Sequence, residues 1–372
     1  MALQDEIEAK AKEIHTDAYS LSIGELMSLY KDKEIDIHPE FQRFFRWTPL
    51  QRTKLIESIL LGIPIPPIFV SQREDGVWDV IDGLQRISTI LEFTGLLKDG
   101  QGALKPASKM QGTEYLPSLE GKYWQKDDDP NSSLEQPQRL IIKRAKLGVQ
   151  IIKKESDSDT KFELFQRLNT GGTALTEQEI RNCILVMLNK DFYTWFADFR
   201  LNENFKNTLP LTDKAFEEQY DTELVLRYFV YKVITTENVT QSKDIGKLLT
   251  DKMVEFAKDP DFQFESEKEK FDKTFLLLNR AFGEDVFKKW DAGKNKFTGG
   301  FSIAAFEVIA TGLAKNIDAY YETEESLQIL RAKIKSVSAN ETFLENSGSG
   351  KRASTRLPHF LPLALEIFRN EN

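Results

Sequence analysis

The stretch WDVIDGLQRISTI, residues 78–90, decides the fold because a strand passes into a helix within it. Its first residues are apolar and β-branched or aromatic, which favours a strand. Asp82 and Gly83 form a common turn pair, and from Gln85 onward the apolar residues recur at helical spacing. We therefore expect a strand-to-helix junction at Asp82 and Gly83.

Further local signals surround this junction. Ile68–Val70 follows a proline-rich segment and precedes a turn at residues 73–76, so it should pair with residues 77–81 as a β-hairpin. Another strand is predicted at Leu147–Ile152, and residues 98–137 lack periodicity, which predicts a long irregular segment. Capping boxes predict helix starts after Ser22, Thr48 and Thr176.

The second half of the chain has a helical pattern. Amphipathic segments such as FEEQYDTELVLRYFVYKVI and FSIAAFEVIATGLAKNI occur from about residue 190 onward. The sequence therefore predicts an α+β domain over residues 1–190 and a helical domain over residues 191–372.

The composition is typical of a soluble globular protein and restricts the possible functions. A net charge of −9 over 372 residues argues against a polycation that coats nucleic acid. A single cysteine, Cys183, excludes an internal disulfide and a cysteine-based metal cluster, and the three histidines are scattered. The N-terminus lacks the apolar segment of a signal peptide and no apolar run has membrane length, so we expect a cytoplasmic protein.

The predicted junction has the chemistry of an anion site. The first N–H groups of a helix have no intrahelical partner, and the helix dipole adds partial positive charge there. Gly83 would let a phosphate approach the backbone, Arg86 offers a forked pair of donors, and Ser88 and Thr89 offer hydroxyls. Asp82 suits a metal ion, a ribose hydroxyl or a helix cap. The alternative is a plain turn, with Asp82 as the cap and Arg86 paired with a surface acid.

A second Gln-Arg pair, Gln42 and Arg43, lies in HPEFQRFFRW, residues 38–47. Arginines also stack on aromatic rings in protein cores, so packing is one explanation of this segment. The other is that its arginine and Arg86 converge on one pocket, which would suit a polyphosphate.

Four segments in this order resemble one known family: PEFQRFFRW, LIESILLGIPIPPIFV, WDVIDGLQRISTI and FQRLNTGGTALTEQEIRN. They resemble the DGQQR-motif domain, the N-terminal domain of GmrS/GmrD-type modification-dependent restriction enzymes. The resemblance implies a ParB/sulfiredoxin-like α+β fold. It also implies binding and hydrolysis of a nucleoside triphosphate, GTP or ATP, in systems that restrict phage or modified DNA.

By this resemblance the catalytic residues are Asp82, Gln85 and Arg86, with Mg²⁺ at Asp82. The nucleotide contacts come from the motif and from two further blocks: Gln42, Arg43, Gly83, Arg86, Ser88, Thr89, Asn169, Thr170 and Gly171, with Gly172 beside them. Asn followed by Gly-Gly also ends helices, so a helix stop is the alternative at residues 169–172.

Two departures from the family pattern limit the expected chemistry. Leu84 stands where the motif has its first glutamine, and leucine neither orients water nor binds phosphate, so nucleotide binding is expected before hydrolysis. The HNH nuclease domain of many relatives needs several histidines, whereas only His359 lies past residue 38. A nuclease or another subunit of the system is therefore the expected partner.

Contacts to DNA are predicted at Lys351, Arg352 and Arg356, in the glycine- and serine-rich run before the C-terminal helix, with a solvated loop as the alternative. The sequence thus predicts a nucleoside-triphosphate-binding component of a bacterial restriction or anti-phage defence system that acts on DNA. A non-enzymatic sensor of modified DNA and a ParB-like nuclease with a metal at Asp82 are the alternatives, and a homo-oligomer is compatible with each.

Overall fold

A computed structural model describes residues 3–4, 15–37, 47–153, 176–242, 244–348 and 350–369. The predicted contacts at Gln42, Arg43 and residues 169–172 lie outside these ranges. The chain divides into two compact units, Met1–Ala174 and Leu175–Asn372. The domain boundary expected after residue 190 stays a prediction.

The N-terminal unit is built on a mixed five-stranded sheet with the order β1-β5-β3-β4-β2. The central strand, β3, pairs antiparallel with β4 and parallel with β5, while β1 is antiparallel to β5 and β2 is parallel to β4. The strands are β1 Thr16–Ser22, β2 Ile35–Asp36, β3 Ile68–Gln72, β4 Trp78–Asp82 and β5 Lys146–Ile152. The helices are α1 Ile23–Lys31, α2 Pro49–Leu60, α3 Leu84–Phe93 and α4 Gln136–Arg144.

Local caps fix where the first helices begin. The Ser22 hydroxyl accepts a hydrogen bond from the N–H of Glu25 at 3.1 Å, and the Thr48 hydroxyl accepts one from Gln51 at 3.3 Å. In both boxes the side chain of the third helical residue accepts a hydrogen bond from the main-chain N–H of the cap residue. The helices and the sheet share one apolar core, which includes Ile23, Leu26, Ile56, Ile68, Val70, Ile87, Ile90, Leu91, Leu147 and Val149.

The C-terminal unit is helical, as predicted, and also contains one short β-hairpin. The helices are α5 Glu177–Leu188, α6 Lys190–Asp198, α7 Glu203–Asn207, α8 Asp213–Glu217, α9 Tyr220–Val233, α10 Thr236–Ser242, α11 Ile245–Lys258, α12 Phe264–Phe282, α13 Ile303–Lys315, α14 Glu324–Val337, α15 Glu341–Asn346 and α16 Ala353–Phe368. The hairpin strands are β6 Lys289–Asp291 and β7 Lys296–Thr298. The mixed α+β class is thus confirmed. No helix within the described residues is both long and apolar enough to cross a membrane.

Arg181 on α5 is the largest buried polar side chain of the C-terminal unit. Its guanidinium donates to Glu177 at 2.7 Å, to Glu223 at 3.2 Å and to Thr250 at 3.1 Å. Further donors reach Gln178 and the carbonyl oxygen of Gly246. All five N–H donors of this arginine are therefore used, which is how a buried charge is tolerated.

Candidate functional site

The predicted junction forms where β4 meets α3. Gly83 is the N-cap residue and has the left-handed backbone angles φ 97° and ψ 11°. A Cβ added to Gly83 would lie 2.4 Å from Cγ2 of Ile68 on β3. Both the backbone angles and this close contact require glycine, so Gly83 allows the strand and the helix to meet tightly.

The first turn of α3 has no side-chain cap. The helices α1 and α2 begin instead with the capping boxes of Ser22 and Thr48. Glycine has no side chain with which to accept a hydrogen bond from the first N–H groups of the helix. The start of α3 can therefore accept an anion in place of a cap.

Arg86 is held by main-chain and carboxylate oxygens beside the junction. Its Nη2 donates to Oδ2 of Asp82 at 2.8 Å, and its Nη1 donates to the carbonyl oxygens of Pro66 and, at 3.0 Å, Pro67. The Arg86 side chain is 13% exposed and that of Asp82 is 30% exposed. These hydrogen bonds of Arg86 connect the proline-rich segment before β3 to the junction. They also orient the Asp82 carboxylate. The acid that pairs with Arg86 is thus Asp82, which belongs to the same sequence motif.

Gln85 joins the junction to the end of the upstream Gln-Arg segment. Its Oε1 accepts a hydrogen bond from the main-chain N–H of Trp47 at 3.3 Å. The carbonyl oxygen of Trp47 accepts a hydrogen bond from Nε of Arg52 at 3.2 Å, and Arg52 pairs with Glu92 on α3. Trp47 is the last residue of HPEFQRFFRW, so the structure brings the end of this segment to the first turn of α3.

The hydroxyls of Ser88 and Thr89 lie inside the protein, contrary to their predicted role as phosphate contacts. Both residues are fully buried. The Thr89 hydroxyl donates to the carbonyl oxygen of Gln85 at 2.7 Å, and Ser88 Oγ has no hydrogen-bond partner within the described chain. Buried hydroxyls do not reach a ligand outside the partly exposed first turn of α3, so both assignments are corrected.

Asp82 is the carboxylate at the junction that could help to hold a metal ion. Across the described ranges, no group of three or more His, Cys, Asp or Glu side chains is arranged to hold a metal without other ligands. Magnesium bound together with a nucleotide usually takes one or two carboxylates and completes its shell with phosphate oxygens and water. A single, partly exposed Asp82 is compatible with that kind of site.

An ion cluster that the sequence did not indicate lies on neighbouring strands of the same sheet. Asp36 on β2 and Asp79 on β4 are register partners, and Arg73 bonds both, at 2.7 Å to Asp36 and 2.8 Å to Asp79. The hydrogen bond to Asp79, together with that to Asp36, raises the pKa of Arg73 above its usual value. The cluster closes the hairpin turn and therefore has a structural role.

A cleft of about 190 Å³ lies beside the start of α2. It is lined by Pro49, Arg52, Ser108, Lys109, Met110 and Gln111. Arg52 also binds the Trp47 carbonyl oxygen, so the cleft adjoins the residues that hold the end of the upstream segment. The aperiodic sequence of residues 98–137 contained no signal for it.

In the basic run near the C-terminus, Arg356 differs from its prediction, while the DNA contacts of Lys351 and Arg352 stay predictions. The helix α16 already begins at Ala353, so Arg356 is a helical residue. Its guanidinium forms a two-point ion pair with the fully buried Glu307, at 2.6 and 2.9 Å. Lys351 Nζ donates to the carbonyl oxygen of Glu345, and Arg352 is exposed. Arg356 is therefore a packing residue, because its charge is already neutralised inside the protein.

Comparison with known proteins finds one family for part of the chain. The family described as the GmrSD restriction endonuclease, N-terminal domain, matches residues 23–186. No curated protein and no solved structure matches the chain. The matched range contains the β4–α3 junction, Arg86 with its proline carbonyls, and the Trp47–Gln85 hydrogen bond. Residues 23–186 are therefore similar to the N-terminal domain of a GmrSD-type restriction endonuclease.

Proposed function

We propose that this protein is a nucleoside-triphosphate-binding component of a restriction or defence system that acts on DNA. The GmrSD-type domain supports the restriction or defence part of the proposal. The observation that carries the nucleotide part is the uncapped first turn of α3, which begins at Gly83 beside the partly exposed Asp82.

In this proposal the phosphates lie at the first N–H groups of α3, where the helix dipole favours negative charge. Asp82 holds Mg²⁺, which would offset the charge of the phosphates. Arg86 acts as a positioning residue, because its bonds to Pro66, Pro67 and Asp82 keep the carboxylate in place. Gln85 positions the end of the upstream segment through Trp47.

Nucleotide binding is proposed ahead of hydrolysis for this chain. Leu84, which replaces the first glutamine of the motif, is partly buried and packs against the apolar core. It has no group that could orient an attacking water. The remaining glutamine, Gln85, accepts the Trp47 N–H with its side-chain oxygen. Binding of the nucleotide, rather than its turnover, would then regulate the action of the system on DNA.

The test is calorimetric titration of the full chain with GTP and with ATP in the presence of Mg²⁺. Asp82→Asn keeps an oxygen that can accept the Arg86 bond but removes the carboxylate charge. We expect it to weaken binding by about ten-fold or more. Asp75→Asn, in the exposed hairpin turn, makes the same chemical change and should bind like wild type. Failure of the wild-type chain to bind either nucleotide would refute the nucleotide part, and equal affinities in all three proteins would refute the site at Asp82.

The restriction part is tested by phage plating. Cells that express the full chain together with its neighbouring genes should plate phage less efficiently than cells without it. Asp82→Asn should restore plating, and Asp75→Asn should not. Equal plating with and without the wild-type chain would contradict a role in restriction.

A further inference from the structure

The β6–β7 hairpin concentrates positive charge in a chain that is acidic as a whole. Residues 289–298, KWDAGKNKFT, contain three lysines and one aspartate, a local net charge of +2, whereas the chain carries −9. It is the one sheet in the described part of the C-terminal unit.

One face of the hairpin anchors it to two helices. Trp290 and Phe297 are register partners, with ring centroids 5.0 Å apart, and therefore share this face. Phe297 contacts Phe282 at the end of α12, at 4.7 Å between ring centroids. On the α14 side, Lys335 Nζ lies 4.0 Å from the Trp290 ring centroid. The main-chain N–H of Trp290 donates a hydrogen bond to the Ser338 hydroxyl at 3.0 Å. The hairpin is therefore held firmly by its aromatic face.

The opposite face carries the flanking pairs of the register, Lys289 with Thr298 and Asp291 with Lys296. Lys289 and Lys296 are exposed, and neither forms an ion pair within the described residues. Lys294, in the turn, pairs with Asp291 at 3.1 Å and is still 66% exposed. The outer face thus presents two exposed lysines that form no ion pair within the described residues, with Asp291 across the strands from Lys296 already paired with Lys294.

We propose that this outer face of the β6–β7 hairpin contacts the phosphate backbone of duplex DNA. The inference rests on the DNA-directed part of the proposed function. A two-stranded β-ribbon fits the major groove of B-form DNA, and lysines neutralise phosphates without reading the base sequence. Because the aromatic face already fixes the hairpin, little ordering is needed when it binds. The contact is therefore expected to be independent of sequence and strongly dependent on salt.

The test measures fluorescence anisotropy of a short labelled duplex with the full chain over a range of NaCl concentrations. The variant is Lys289→Gln/Lys296→Gln, which removes two charges from exposed positions. The matched control, Lys214→Gln/Lys247→Gln, removes two charges from exposed helical positions of the same unit. The midpoint temperatures of thermal unfolding should be the same for all three proteins, because none of the substituted side chains is buried.

We expect the hairpin variant to bind the duplex about five- to ten-fold more weakly at low salt, and the slope of log K against log [salt] to fall in magnitude by about 2. The control should retain the wild-type slope. Equal losses in both variants, an unchanged hairpin variant, or no duplex binding by wild type at low salt would each overturn the inference. None of these outcomes bears on nucleotide binding at Asp82, which is measured without DNA.

Discussion

The main-chain N–H of Trp47 donates a hydrogen bond to the side-chain oxygen of Gln85, a residue 38 positions later in the sequence. One Gln-Arg segment ends at Trp47, and the other Gln-Arg pair contains Gln85. The bond uses the backbone of residue 47, so it depends on the side chain at position 85 alone. It gives Gln85 a positioning role in the junction.

Replacing Gln85 should test this role. Gln85→Ala removes the acceptor of the Trp47 N–H, and we expect it to lower the free energy of unfolding by about 1 kcal/mol. Gln85→Glu keeps an oxygen acceptor and should lose less. Urea denaturation of the full chain measures both changes. A variant with alanine that is as stable as wild type would contradict the assigned role.

Gly83→Ala should destabilise the protein more than Gly76→Ala. Both glycines have positive φ, 97° and 87°, so alanine strains the backbone by about 1–2 kcal/mol at either position. At Gly76 the added Cβ meets open space, whereas at Gly83 it would meet Ile68 at 2.4 Å. Overpacking adds about 1–3 kcal/mol at Gly83 alone. Urea denaturation that gives equal losses for the two variants would show that the junction tolerates a side chain.

Arg86→Ala should destabilise the N-terminal unit because it leaves the carbonyl oxygens of Pro66 and Pro67 and the Asp82 carboxylate without this donor. We expect a loss of about 1–3 kcal/mol in the free energy of unfolding, with partial recovery in Arg86→Lys. Thermal unfolding and nucleotide titration should be measured on the same samples. Loss of nucleotide affinity at unchanged stability would contradict positioning and favour a direct phosphate contact.

Glu223 should make the C-terminal unit sensitive to acid. Burial acts to raise the pKa of Glu223, but the nearby Arg227 and Arg181 more than offset burial and hold that pKa below the ordinary value of 4.5. Because the pKa of Glu223 is lower in the folded protein, the ionised carboxylate contributes its full stabilisation above pH 4.5. This contribution to the free energy of unfolding is lost as the pH falls below that value.

The variant Glu223→Gln should therefore be less stable at neutral pH and should depend less on pH below 4.5 than wild type. Glu255→Gln, at an exposed carboxylate paired with Lys252, serves as the control and should keep the wild-type pH profile. Urea denaturation at a series of pH values measures this. Parallel profiles for wild type and Glu223→Gln would contradict the prediction.

The elements that were predicted correctly depend on short-range signals. The capping boxes at Ser22 and Thr48 and the hairpin turn at residues 73–76 are complete within a few residues of sequence. By contrast β1 is half of a long-range pair, in which Thr16 lies opposite Ile152, and its own residues carry no clear period. The start of α4 was missed although Gln138 caps the backbone of Glu135 at 2.8 Å, and this signal was present in the sequence.

The candidate site was predicted in location but not in the contacts of its side chains. The junction follows from local turn chemistry, whereas the partners of Arg86 come from Pro66 and Pro67, which only the folded sheet brings near. Ser88 and Thr89 are buried because α3 is covered on more than one side, with Ile87 to Leu91 all inaccessible. The helical spacing of its apolar residues did not show that polar positions of α3 are covered as well. Arg356 was assigned to DNA because its partner, Glu307, lies 49 positions away in sequence.

The environment of Arg181 determines how this protein can be divided. The family match ends at residue 186, inside α5, but Glu223, Gly246 and Thr250, which bind the Arg181 guanidinium, all lie beyond that point. A recombinant fragment cut at residue 186 would expose this arginine and the apolar side of α5 to solvent, and we expect it to aggregate. Fragments for crystallisation or binding studies should end before Thr176 or retain the helical unit entire.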